Sequence, residues 1–301
     1  MTLKTLFVLP ALMASACFFA GAASAHEHEA PISFKNTQLS SNLYMLQGKG
    51  GNLALSVGDD GLLLIDDDYA EISDITRAAI ASISPEPVKF VVNTHWHFDH
   101  AGGNQMLGEQ GAVIVAHDNV RKRLLSGGEI KAFGAKIPPA KKAALPVLTF
   151  ADSMTFHWNG ASIDVVHPGA SGHTDGDAVI YFVEDNVVHM GDLYFSGLYP
   201  FIDSSSGGSL AGVIDSVDKV LSRIDGDTRI IPGHGPLSNK SELQTYRAML
   251  SRMQEKLTMF KQQGKTLEEV VAAKPSAEFD AQWGNGFLNA DTWVAIVYNA
   301  L

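Results

Sequence analysis

The sequence is short of thiols and of basic residues, and each shortage narrows the chemistry open to it. Its one cysteine is Cys17. That residue lies in an N-terminal stretch that reads as a leader. Lys4 gives it a positive start, Leu6 to Ala20 is almost wholly apolar, and Ala23-Ser24-Ala25 fits the small-x-small cleavage pattern. With residues 1–25 removed as a signal peptide, the mature chain has no thiol, which excludes a disulfide, a Cys-ligated zinc and a cysteine nucleophile. Acidic residues outnumber basic ones 33 to 22, a formal charge of −11 that loss of Lys4 makes one unit more negative. Nucleic-acid binding rests on phosphate neutralisation by Lys and Arg, so no nucleic-acid partner is expected. Long apolar runs are also lacking. The leader's run is shorter than the roughly 20 residues of a spanning helix and is interrupted by Pro10. No stable membrane insertion is expected, and the mature protein, starting after Ala25, is expected in the periplasm or secreted.

What is present is a core. Hydrophobic residues make up 46% and charged ones 18%, a balance that suits a globular fold and excludes disorder. No 20- to 50-residue period recurs, which excludes a solenoid or propeller. From Gln38 to Asp66, short apolar runs alternate with glycine-rich turns, as in a β-meander. The apolar spacing of Glu71–Ser84 predicts a helix, and Val88–Thr94 a buried strand. Ala112–Ala116 and Asn119–Leu125 read as strand and short helix, and residues 126–146 as a surface loop. Asn159-Gly160 predicts a type I′ hairpin between Met154–Trp158 and Ser162–Val166. A second hairpin, a helix over Gly208–Ile224 and a strand at Arg229–Ile231 follow, and the chain is mainly helical from Ser238.

Three of the eleven histidines, His95, His97 and His100, fall within six residues, with Asp99 among them. In an extended segment residues i and i+2 point the same way, so His95 and His97 can grip one metal together. Asp99 and His100, past a bend, can face a second. Imidazole and carboxylate are the ligands of catalytic zinc. Trp96 and Phe98 alternate with the polar residues, which argues for partial burial, and a buried polar cluster without partners costs several kcal/mol. Further ligands must come from a distance. Gly172-His173-Thr174, Met190-Gly191-Asp192 and Pro232-Gly233-His234-Gly235 each set a His or Asp beside glycine in a loop, where rigid scaffolds present functional groups.

His-x-His-x-Asp-His, Gly-His-Thr, Gly-Asp and Gly-His-Gly, in that order over roughly Gln38–Leu237, resemble the metallo-β-lactamase superfamily. The resemblance implies an α/β fold, a four-layer αββα sandwich spanning residues 26–237. Residues 238–301 then form a helical C-terminal extension packed on it. It also implies two divalent ions, Zn2+ foremost. His95, His97 and His173 look like ligands of the first, Asp99, His100 and His234 of the second, with Asp192 bridging. Such a pair, about 3.5–4 Å apart, can share a hydroxide whose parent water has a pKa lowered to roughly 7, with Asp99 as the catalytic residue that orients it. Asp66, at the end of a core strand, is a candidate acceptor for a ligand's free ring nitrogen. Phe98, Tyr194 and Tyr199, with Phe201, are candidates for the substrate cleft. His117, His157, His167 and His189 are expected to be structural, and His26 and His28 to lie in a flexible tail.

The chain departs from well-known lactamases of the family at Asp192, where they carry Cys, and at Phe195, where they carry a Lys that anchors the drug's carboxylate. The expected activity is that of a periplasmic zinc-dependent hydrolase, opening the carbonyl of a cyclic amide or ester in a small, β-lactam- or lactone-like substrate. The alternatives are phosphodiesterase or glyoxalase II-like thioesterase activity, or a non-catalytic periplasmic metal-binding protein.

Overall fold

Strand β1 (Lys35–Gln38) opens a meander with β2 (Leu43–Gln47), β3 (Asn52–Ser56) and β4 (Leu62–Ile65). Helix α1 (Ser73–Ile83) carries the chain to β5 (Val88–Val92). Helices α2 (Phe98–Ala101) and α3 (Asn104–Glu109) lead to β6 (Val113–His117). Helix α4 (Asp118–Ser126) and a small hairpin, β7 (Gly128–Ile130) with β8 (Ala135–Ile137), precede β9 (Leu148–Phe150). The first sheet runs β1-β2-β3-β4-β5-β6-β9, antiparallel as far as β4 and parallel from β4 on. Parallel neighbours need crossovers, which α1, α3 and α4 supply. The computed structural model describes residues 32–169 and 171–301, so the expected leader and the tail histidines His26 and His28 lie outside the described residues.

The second sheet holds β10 (Ser153–Trp158), β11 (Ala161–Val166), β12 (Val179–Phe182), β13 (Val187–His189), β14 (Arg229–Ile231) and β15 (Ser238–Asn239), in that order. Asn159 and Gly160 turn β10 into β11 with φ of 54° and 75°, the left-handed pair a type I′ turn requires. Helix α5 (Leu210–Arg223) makes the crossover between the parallel strands β13 and β14. Beyond β15 come α6 (Lys240–Gln262), α7 (Leu267–Ala272), α8 (Asp280–Trp283) and α9 (Ala290–Asn299).

Side-chain alternation makes the layers. In β4, all of it buried, Leu62 and Leu64 face one way and meet Ile80 of α1 and Leu107 of α3. Leu63 and Ile65 face the other way, onto Ile163, Ile180 and Ile231 of the second sheet. The far side of that sheet, with Val188 and Ile230, packs on Val213 of α5 and Leu243 and Leu250 of α6. The result is the expected order of helix, sheet, sheet and helix. Val270 of α7 and Trp293 of α9 belong to this last apolar cluster, so the C-terminal helices share the core rather than trail from it. A buried side chain of this size contributes roughly 1.5–3 kcal/mol.

The expected surface loop over residues 126–146 is corrected by the β7–β8 hairpin. Gly128-Glu129-Ile130 and Ala135-Lys136-Ile137 are too short and too polar to show strand alternation in sequence.

Candidate metal centre

Parallel pairing aims strand ends the same way. Asp66 follows β4, the His95–His100 segment follows β5, Asp192 follows β13, and His234 follows β14. His173, from the β11–β12 connection, joins them, and two groups of side chains assemble. His95, His97, His173 and Asp192 form one, and Asp99, His100, Asp192 and His234 the other, each with donor atoms within 4.8 Å of one another. Asp192 belongs to both. Its Oδ2 lies 3.8 Å from His95 Nε2 and 3.5 Å from His173 Nε2. Its Oδ1 lies 3.0 Å from His100 Nε2 and 3.5 Å from His234 Nε2. Asp99 Oδ2 stands 3.2 Å from His234 Nε2.

Outward hydrogen bonds fix which nitrogen of each imidazole faces inward. A carboxylate or a carbonyl only accepts, so the ring nitrogen touching it carries the proton. His97 Nε2 donates to Asp203 Oδ2 at 3.0 Å, leaving Nδ1 its lone pair. His173 Nδ1 donates to the Phe201 carbonyl at 2.9 Å, and His100 Nδ1 to Asp66 Oδ2 at 2.8 Å. His95 is reached through a relay. Thr94 Oγ1 donates to Asp66 Oδ2 at 2.8 Å, so it must accept from His95 Nδ1 at 3.0 Å. Asp66 therefore orients ligands in both groups, as the sequence suggested. It is fully buried, with φ of 58°, and also accepts from Thr94 N at 2.7 Å. Asp203, between two serines whose backbone and hydroxyls hold it, carried no sequence signal.

With the inner nitrogens unprotonated, His173 Nε2 sits 2.8 Å from His97 Nδ1. Two lone pairs at that distance repel, and His95 Nε2 is buried without any hydrogen-bond partner. A cation cures both faults, so the donor set fits divalent metal.

The charge balance agrees. Burial would lower His234, yet Asp192 and Asp99 hold it up at about 9. Burial likewise opposes a proton on His100, but Asp192, Asp99 and Asp66 raise it well above its ordinary value. His173, dominated by burial, drops to about 4, and burial also depresses His95. Asp99 would be raised by burial but is brought down to about 2 by His100 and His234. Without metal, the carboxylates of the second group are thus neutralised by protons on their own histidines, and a metal must displace those protons to bind.

Two glycines are spatial requirements. A Cβ on Gly233 would stand 2.1 Å from Asp192 Oδ1, and one on Gly51, in the β2–β3 turn, 2.2 Å from His100 Cε1. The glycine beside His234 lets its loop reach the shared carboxylate.

Above the groups opens a cavity of about 380 Å³, walled by Lys49, Tyr69, Phe98, Ile130, Phe133, Phe195, Phe201 and Phe287 as well as His97, Asp99, Asp192 and His234. Phe98 and Phe201 stand where the sequence put them. Tyr194 and Tyr199 do not, and their expected place in the cleft is corrected. Tyr194 turns into the core, where its hydroxyl meets Ser238 and its ring Tyr246. Tyr199 stacks flat on Trp293, with ring centroids 3.9 Å apart, and donates to Asp280. A buried phenol needs a partner for its hydroxyl, and each found one away from the cleft. His117, His167 and His189 hydrogen-bond backbone carbonyls, of Ala151, Asp177 and Asn52 in turn.

A family model described as the metallo-beta-lactamase superfamily matches residues 41–234. A probable metallo-hydrolase of Methanocaldococcus jannaschii is 25% identical over 207 residues, covering 67% of this chain and 90% of that one. A hydroxyacylglutathione hydrolase of Pelagibacter ubique is 27% identical over 110 residues, 36% of this chain and 37% of that one. Among solved structures, a metallo-beta-lactamase from Pontibacter korlensis superposes with a TM-score of 0.60 at 23% identity, covering 73% of this chain and 99% of that chain.

Proposed function

Because the chain belongs to the metallo-beta-lactamase superfamily, we propose that it is a binuclear, zinc-dependent hydrolase acting in the periplasm on a cyclic amide or ester, β-lactam- or lactone-like. One observation carries this reading. Seven side chains stand in two groups that share Asp192, with one carboxylate oxygen turned to each. His95, His97 and His173 would hold one ion and Asp99, His100 and His234 the other. Bound there, the ions supply Lewis acidity and a water acidic enough to lose its proton near neutral pH. Asp99 borders the cavity, so its free oxygen could orient a nucleophilic water. His100 and His95, steered by Asp66, and His97, steered by Asp203, keep their lone pairs inward throughout. The aromatic wall sheds water from the reacting carbonyl.

Phe195 lies stacked on His234, with centroids 5.0 Å apart, where the lactamases carry an anchoring Lys. That favours lactones and simple esters over drugs held by a carboxylate. The similarity to a hydroxyacylglutathione hydrolase supports thioester hydrolysis as the second reading.

The test is a panel of chromogenic lactam, lactone, thioester and phosphodiester substrates, run beside elemental analysis. About two zinc ions per chain and turnover lost to a chelator are expected. One ion or none removes the binuclear proposal, and full loading without any turnover favours a non-catalytic metal-binding protein. Export is tested apart. N-terminal sequencing of periplasmic protein should start near His26, and an intact Met1 or a lipid on Cys17 would overturn it.

A further inference from the structure

The cavity wall is more apolar than a site built around two carboxylates requires. Phe98 opens α2, Phe133 sits in the β7–β8 turn, Phe195 and Phe201 follow β13, and Phe287 lies between α8 and α9. Three of these rings are held in water, Phe98 at 42%, Phe133 at 49% and Phe287 at 61% exposure. They are not scattered. Phe133 packs 4.7 Å from Phe201 and 6.4 Å from Phe287, which is 6.4 Å from Phe195. That arc ends on the ligands, with Phe201 5.9 Å from His97 and Phe195 stacked on His234. Two exposed rings, Phe133 and Phe287, continued inward by the buried Phe201 and Phe195 to a polar floor, mark a binding surface for an apolar body.

Charge on the wall is sparse. Among the described residues, Lys49 is the only lysine or arginine lining the cavity. It pairs with Glu71 at 3.3 Å, both side chains being well exposed, and such a surface pair is weak. A substrate anion can replace Glu71 at little cost.

We propose that the cleft selects substrates with an alkyl or aryl body, the body lying along Phe133, Phe201 and Phe287 and an anionic group, where there is one, reaching Lys49. The proposal rests on the hydrolase reading for the bond that is cut. About 380 Å³ holds a body of roughly a dozen non-hydrogen atoms, taking the ~30 Å³ of a liquid water as the unit. Phe287 places the C-terminal extension in direct contact with that body.

The test uses straight-chain monocarboxylates, butanoate to dodecanoate, titrated calorimetrically into full-length zinc-loaded protein, below their micellar concentrations. Affinity should rise roughly three- to fourfold per methylene and level off near ten carbons, at one molecule per chain. An affinity independent of chain length, or a stoichiometry well above one, overturns the proposal. In the Phe133→Ala/Phe287→Ala double variant the rise per methylene should shrink to about half. Both rings are largely exposed, so folding should survive, and an unchanged melting temperature checks it. A slope unaltered in that folded variant also overturns the proposal. Binding does not depend on turnover, so the two readings fail separately. A chain-length slope without hydrolysis of any panel substrate sinks the catalytic reading alone, and chelator-sensitive hydrolysis without a slope sinks this one alone.

Discussion

The two halves of the metal centre are built to different standards. Around Asp192 Oδ2, His95, His97 and His173 are buried, and each ring has its outer nitrogen fixed, by Thr94, Asp203 and the Phe201 carbonyl. Around Oδ1 only His100 is so held, by Asp66. Asp99 and His234 keep 17% and 20% of their side chains exposed, and among the described residues no partner fixes the outer nitrogen of His234. The first half is preorganised and buried, bordering the cavity only through His97 and the shared Asp192, and the second is more open to it. Preorganised ligands hold metal more tightly, since less freedom is lost on binding. On the proposed binuclear reading, an ion in the first half would be held more tightly and one in the second would be the easier to lose. Zinc titration should therefore fill the sites in sequence.

The severest way to break this difference is to remove what both halves share. Asp192→Asn keeps the size but not the charge and should weaken retention of one or both ions at least ~100-fold, taking turnover with it. Near-normal zinc content after dialysis would show that Asp192 does not bridge. Asp99→Asn probes the open half only. At saturating zinc it should keep most of its metal while turnover of a panel substrate falls ~10²-fold or more. Turnover close to wild type would mean that the water is oriented by another group. Asp203→Asn acts on the closed half, freeing His97 to flip. The tighter ion should weaken ~10- to 100-fold and the looser one much less, so that the two steps of the titration merge. If only the looser step moves, the assignment of Asp203 to the closed half is wrong.

Acidity separates the halves more gently. The raised pKa of His234, from 6.5 to about 9, means that its proton stabilises the metal-free fold fully below pH 6.5, a contribution lost as pH climbs through 9. The melting temperature of metal-free protein should fall over that window. Zinc-loaded protein, with no proton there to lose, should not follow it, and a parallel decline in both forms would contradict the account. The smallest effect belongs outside both halves. Tyr199→Phe loses its hydrogen bond to Asp280 and should cost ~1 kcal/mol of stability, with kcat and KM intact. An altered KM would return Tyr199 to the cleft.

Legibility in the sequence followed locality. The seven side chains that gather into the two groups could be picked out because imidazoles and carboxylates beside glycine serve few other ends, and Gly233 shows why the glycine is there. Long, regularly patterned elements such as α5, α6 and the β10–β11 hairpin were readable for the same local reason. The edge strands β1, β9 and β15, two to four residues long, exist through pairing and not through pattern. The cleft wall was hardest. Phe133 and Phe287 look like any surface or core phenylalanine until the fold sets them 6.4 Å apart. Tyr194 and Tyr199 were misplaced because nearness to Asp192 in sequence says nothing of which way a ring turns.

The flat stack of Tyr199 on Trp293 has a consequence for the C-terminal helices. Tyr199 also takes a backbone hydrogen bond from its N–H to the Trp283 carbonyl, 3.0 Å away, so the last helices grip the loop that carries Phe201 and Asp203. The family model's match ends at residue 234, before α6 begins. The seven side chains of the two candidate groups lie within that match, whereas Phe287, Trp283 and Trp293 lie beyond it. A change in this tail therefore reaches the cleft wall through Phe287 and the floor through the loop whose Phe201 carbonyl and Asp203 carboxylate fix His173 and His97.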